Sequence, residues 1–144
     1  MRYQFVDEIV SLTLDGAPRI EVAKRFDPDD DVFGGPAGSL RVPESMLLEL
    51  MAMTGGQLIA RHLGGSRLPM LLKVPECRFD GDGRAGERLR VVAELGGVSA
   101  PADGPAVAET ETAVYAGSRA IARARLMFAC VAAVDAGRAR GVSP

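Results

Sequence analysis

The sequence has no tryptophan, one histidine and two cysteines, and only Lys24 and Lys73 among its seventeen basic residues are lysines. Each shortage removes a class of chemistry. His62, Cys77 and Cys130 cannot supply an ordinary four-ligand zinc site, and the cysteines lack CxxC spacing. Two cysteines in 144 residues are too few for a disulfide scaffold, so a reduced chain is expected. No apolar run approaches the roughly 18 to 20 residues of a membrane helix. The opening "MRYQFVDEIVSL" carries Gln4, Asp7 and Glu8 where a secretion leader needs an apolar core. A cytoplasmic protein without a membrane segment is the expectation. The net charge of −2 provides no basic field for nucleic acid. The arginine excess, with abundant alanine and glycine, fits a GC-rich genome better than a binding function.

What remains reads as one soluble domain spanning residues 1–144, with 47% hydrophobic and 25% charged residues. "EIVSLTLDGAPRIEVAKRF" reads as two strands joined at Asp15, Gly16 and Pro18. A loop of about sixteen residues follows, "DPDDDVFGGPAGSLRV", and loops of that length in compact domains are often functional. Its glycines lack the Lys-Ser/Thr ending of a phosphate loop. Pro43 suits the first turn of a helix, and Gly64-Gly65 suits its end. The helix so marked has about 21 residues and a length of about 30 Å. Its apolar residues lie on nearly all sides, which predicts an enclosed helix. Gly55 and Gly56 each weaken it by about 1 kcal/mol relative to alanine, a cost tolerated where another backbone comes close.

Beyond "GGSRLP" the pattern is strand-like. "MLLKVPECRF" contains Pro75, which predicts a bulge or an edge position. "ERLRVVAEL" alternates, and "AVAETETAVYA" with "RAIARARLMFACVAA" forms a long hairpin turning at Gly117-Ser118. A register centred on Gly117 places Glu111 beside Arg123 and Glu109 beside Arg125, on a solvated face. "DGDGRAGE" lacks the acidic spacing of a calcium loop and reads as a turn. The tail from residue 134 has little to bury and is expected to fray. The predicted order is two strands, one long central helix and four strands. The fold class is α+β, the helix wrapped by a curved antiparallel sheet of five to six strands. Such a sheet leaves edges for a second copy, so a dimer is expected.

One carboxylate stands out. In "PESMLLELMAM" the neighbours of Glu49 one turn away are Ser45, Met46, Ala52 and Met53, none able to neutralise a charge. Enclosure there disfavours the charged form and makes the group a candidate acid or base. A solvent-facing residue and a hydrogen-bonded residue in a dimer core are the plainer alternatives.

The stretch "FGGPAGSLRVPESMLLELMAMTGG" resembles the hot-dog fold, and within it the 3-hydroxyacyl-[acyl-carrier-protein] dehydratases. Those enzymes carry G-H-F-P-G-x-P-x-x-P-G before a helix of the type xxxEAMAQ. Gly34, Gly38, Pro43, Glu49, Met51 and Ala52 fall on matching positions, and the likeness runs over roughly residues 5 to 133. Gly35 stands where the family has its catalytic histidine, fourteen residues before Glu49. Pro36 and Ala37 replace Phe and Pro, Glu44 replaces the glycine opening the helix, and Met53 replaces the glutamine.

The resemblance implies a protein acting on or binding acyl thioesters of acyl carrier protein or CoA, without cofactor or metal, in fatty-acid or polyketide-type metabolism. Glu49 is then the catalytic residue, and Gly35, Glu44, Ser45, Met46 and Met53 adjoin the substrate. The backbone N–H groups of Glu44 and Ser45 would face the enolate oxygen, with the Glu44 side chain turned to solvent. Dehydration needs both a base and an acid, and here the second group is missing. His62, thirteen residues beyond Glu49, lies about 20 Å further along the helix and cannot replace it. Two rival readings stay open. One is a thioesterase using Glu49 alone. The other is a partner subunit, or acyl-binding module, for a histidine-bearing hot-dog chain.

Overall fold

Six strand-forming segments surround one helical segment in the computed structural model, which describes residues 6–30, 33, 40–99, 101 and 104–132. Strands β1 (Glu8–Thr13) and β2 (Arg19–Arg25) precede helix α1 (Glu44–His62). Strands β3 (Arg67–Phe79), β4 (Arg88–Ser99), β5 (Ala106–Ala116) and β6 (Arg119–Ala132) follow it. They form one antiparallel sheet in the order β1-β2-β4-β5-β6-β3. The α+β expectation of one helix on a six-stranded sheet holds. The expectations for Gly34, Gly35, Gly38 and the tail from residue 134 lie outside the described residues.

The strand order dictates the helix. The chain leaves β2 near one side of the sheet and re-enters at β3, the opposite edge. That is a lateral step of four strand spacings, about 19 Å. The helix makes the crossing over one face, touching β2, β3, β4, β5 and β6. Pro43 proves to be its N-cap, with φ −58° and ψ 145°, so the helix opens one residue later than the first-turn expectation. At the other end Leu63 caps it, and Gly64 and Gly65 take φ of 68° and 76°, values that favour glycine.

The core is the layer between helix and sheet. Leu47, Leu50, Met51, Leu58 and Ile59 are fully buried against Ile20, Val22, Leu89, Val91, Val114 and Leu126. Burying those five helix side chains contributes roughly 10 kcal/mol before conformational entropy is counted. Beneath the middle of the helix the sheet presents small groups, Ala93, Thr110, Thr112 and Ala124. Full enclosure of the helix is not observed. Ser45, Glu49 and Met53 are exposed and Met46, Ala52, Gly56 and Ala60 half-buried, so one side stays open within the single chain. Apolar residues on every side therefore do not imply protein on every side.

The hairpin register also differs from expectation. Glu111 lies opposite Arg125, and Arg123 lies opposite Ala113 and Arg78. The turn is the two residues Gly117-Ser118, and a bulge at Val114/Tyr115 adds one residue to β6, shifting every later pair. Arg125 bridges Glu76 at 2.9 Å and Glu109 at 3.5 Å on the solvent side of the sheet. Pro75 lies within β3, an edge strand whose register shifts between Leu71 and Lys73 and between Lys73 and Glu76. The sequence expectation of bulge or edge is met on both counts.

The paired glycines differ. A Cβ on Gly55 would stand 2.8 Å from Thr110 Oγ1 and 3.4 Å from the Phe128 ring, both buried. At Gly56 it would meet nothing nearer than 3.7 Å. Gly55→Ala is therefore expected to lower unfolding stability in urea by about 1–3 kcal/mol through overpacking. Gly56→Ala is expected to raise it by up to about 1 kcal/mol through helix propensity. Equal effects of the two substitutions would contradict this packing.

Candidate functional site

The open side of α1 has one stripe. Positions 49, 53, 56 and 60 recur at intervals of four, three and four, which keeps Glu49, Met53, Gly56 and Ala60 on one side of a 3.6-residue helix. Glu49 is exposed, and no hydrogen bond or ion pair to it is present among the described residues. The enclosure expected around this carboxylate is not provided by its own chain. Ser45 and Met46 stand one turn before it and Met53 one turn after, so the structure brings Ser45, Met46, Glu49 and Met53 together. Gly35 lies outside the described residues. His62 is exposed in the last turn, at the far end of the helix.

The start of the helix is fixed from below. Val42 N–H donates to the Gly83 carbonyl at 2.8 Å, and Ala85 N–H donates to the Leu40 carbonyl at 2.7 Å. Arg41 closes the clamp, its Nε 2.8 Å from Asp82 Oδ1 and its guanidinium 3.4 Å from Glu44 Oε1. The turn "DGDGRAGE" is therefore the anchor of the helix entrance. Gly81 and Gly83 press against Ile121, where an added Cβ would come within 3.1 Å. Sequence reading missed Arg41 and Asp82. Their signal was the match of one arginine before the helix to an acidic turn forty residues later, which no local pattern discloses.

This clamp leaves the helix start without a side-chain cap among the described residues. Pro43 offers no side-chain cap, so the first-turn N–H groups of Glu44 and Ser45 have no side-chain acceptor at the cap. Positive partial charge collects there. The Glu44 carboxylate, which could oppose an anion, is exposed and held by Arg41. Its effect still reaches Cys77. Burial first, and the Glu44 charge second, push the Cys77 thiol above its ordinary range. Burial does the same to Cys130, opposed by Arg67. Neither thiol is set up as a nucleophile.

A groove of about 280 Å³ lies on the opposite face of the sheet, lined by Glu76, Arg78, Val92, Glu94, Glu111, Tyr115 and Arg123 among others. On β5 those outward residues alternate with buried Thr110, Thr112 and Val114. The sheet separates this ionic surface from Glu49.

No family model matches the sequence, and no curated relative does. Likeness in three dimensions is extensive. The chain is similar to a chain of the dehydratase heterocomplex of Xenorhabdus doucetiae, with TM-score 0.69 at 15% identity, covering 94% of this chain and 88% of that one. It is similar to a fluoroacetyl-CoA thioesterase, with TM-score 0.68 at 14% identity, covering 89% and 96%. A thioesterase from Haemophilus influenzae gives 0.64 at 11% identity, covering 84% and 77%. At such identities the likeness establishes the fold, and the fold is the hot-dog fold.

The cysteine environment is testable. At about pH 8, near the ordinary thiol pKa, native Cys77 is expected to alkylate more slowly than the same cysteine in a peptide. Glu44→Gln is expected to speed the reaction, since one of the two causes disappears. Mass-resolved alkylation kinetics measure both, and an unchanged rate in Glu44→Gln would place that carboxylate too far away to matter.

Proposed function

We propose that this chain acts on acyl thioesters of CoA or of an acyl carrier protein, with Glu49 as the side-chain acid–base group of its site. The observation that carries the reading is the position of Glu49. It is a carboxylate without an ion partner among the described residues, on an otherwise uncharged side of the helix, a turn beyond an uncapped helix start. Those parts suit thioester hydrolysis. The carboxylate accepts a proton from water as the water oxygen attacks the thioester carbonyl. The resulting oxyanion is stabilised by the Glu44 and Ser45 N–H groups and the helix dipole. Collapse of the tetrahedral intermediate breaks the carbon–sulfur bond, and the departing sulfur takes the proton held by Glu49, which releases the thiol and restores the carboxylate. Solved thioesterases among the similar structures support this choice.

An exposed carboxylate is a weak base, and a second chain supplies what the first lacks. Among the described residues strand β3 is an edge of the sheet, on which Met70 is 45%, Leu71 45% and Leu72 58% exposed. A second hot-dog chain along that edge would cover apolar surface and draw Glu49 into a drier cleft. An identical partner brings no histidine at the position of Gly35, which favours hydrolysis. A histidine-bearing partner would instead add the second proton-transfer group of a dehydratase, a reading supported by the likeness to the dehydratase heterocomplex. A dimer at micromolar concentration by light scattering is the expected state, and a stable monomer would contradict the covered edge.

The chemistry is tested with acyl and 3-hydroxyacyl thioesters while thiol release and enoyl absorbance are followed together. Thiol release without enoyl formation is expected from the pure protein. Glu49→Gln keeps the size and hydrogen bonding of the side chain but cannot exchange a proton, so turnover is expected to fall by about 10² or more with the fold intact. An active preparation that keeps most of its rate in Glu49→Gln would remove Glu49 from the mechanism.

A further inference from the structure

Gly55 is explained by its own chain, and Gly56 is not. A methyl group at Gly55 collides with Thr110, whereas at Gly56 it would rest 3.7 Å from Pro69 Cγ and 3.8 Å from Phe128 Cε1, ordinary contact distances. Alanine fits at Gly56 and would favour the helix. The glycine therefore leaves a notch in the open side of α1 that none of the described residues fills. The notch shares a stripe with Glu49, two turns and about 10 Å further along the axis.

Polarity along that stripe runs one way. Arg41, Glu44 and the uncapped N–H groups gather at the helix start. Between Glu49 and Arg61 the helix carries no charged residue, and the stripe itself presents Met53, Gly56 and Ala60. A thioester carbonyl held at Glu49, with its oxygen toward the N–H groups, directs both its acyl carbon and its sulfur away from them, and the uncharged stripe suits the apolar acyl tail. That path crosses Met53, whose flexible thioether adapts to varied shapes, and enters the notch beside Pro69.

Building on the acyl-thioester reading, we propose that Gly56 is a specificity-determining residue. Its missing side chain admits the tail of a long, unbranched acyl group, making the preferred substrates long-chain acyl thioesters. An acetyl or butyryl group ends before Gly56, and a decanoyl or dodecanoyl group passes it.

The experiment compares wild type, Gly56→Ala and Gly56→Val on acyl-CoA esters from acetyl to dodecanoyl, reading kcat/KM and the affinity for the matching S-alkyl ethers. Wild type is expected to favour the long esters. Gly56→Val is expected to lose about tenfold or more on dodecanoyl-CoA while acetyl- and butyryl-CoA change by less than about twofold, since small steric changes in apolar pockets have effects of this size. Gly56→Ala should fall between, with unfolding temperature and hydrodynamic size at least those of wild type. An active wild type that rejects long esters overturns the proposal. So does an equal loss at every chain length, or an altered oligomer with an unaltered chain-length profile, which would assign Gly56 to a protein interface. Absence of turnover and binding on every ester overturns the acyl-thioester reading itself, a different result from a variant whose profile matches an active wild type.

Discussion

Everything in this molecule depends on how closely the helix can approach the sheet. The middle of the sheet beneath it is floored with alanine and threonine, and Gly55 removes the side chain that would strike Thr110. That contact sets the depth of the helix. Depth then decides which residues are core and which remain at the surface. Leu47, Leu50, Met51, Leu58 and Ile59 reach the sheet, and the side centred on Glu49 is left above the protein's own packing. A helix held one side chain further out would lose core on one side without gaining cover on the other.

The same arrangement shapes the candidate site of a chain with few reactive side chains. The helix start is not capped by its own sequence, and the Arg41–Asp82 contact fixes it from a distant turn. Partial positive charge at the backbone, one carboxylate without an ion partner among the described residues and an apolar stripe then lie in sequence along one helix. None of these requires a metal ligand or a nucleophilic thiol. The two cysteines sit in surroundings that hold their protons.

Much of this was legible from sequence because it is written in local patterns. Glycine and proline punctuation located the hairpin at Gly16, the helix end at Gly64 and the irregular strand at Pro75. The cost of glycine in a helix pointed to a close-lying backbone, but the close neighbours at Gly55 are the side chains of Thr110 and Phe128, and Gly56 has none as near. What was not legible is long-range. The register of β5 with β6 was misjudged because a bulge at Val114/Tyr115 leaves no compositional mark. The open side of the helix was hidden because Met53, Ala52 and Ala60 are as apolar as the residues that do reach the core. The salt link that holds the helix entrance joins residues forty-one positions apart, Arg41 and Asp82, and charge pairs of that separation are invisible to periodicity.

Strand β3 has a further consequence. An exposed apolar edge invites polymer growth, since any strand added to it presents a new edge in turn. Pro69 and Pro75 lack the N–H that a ladder needs, and register shifts interrupt the strand from Leu71 to Glu76. An edge broken in this way is too irregular to template a fibre.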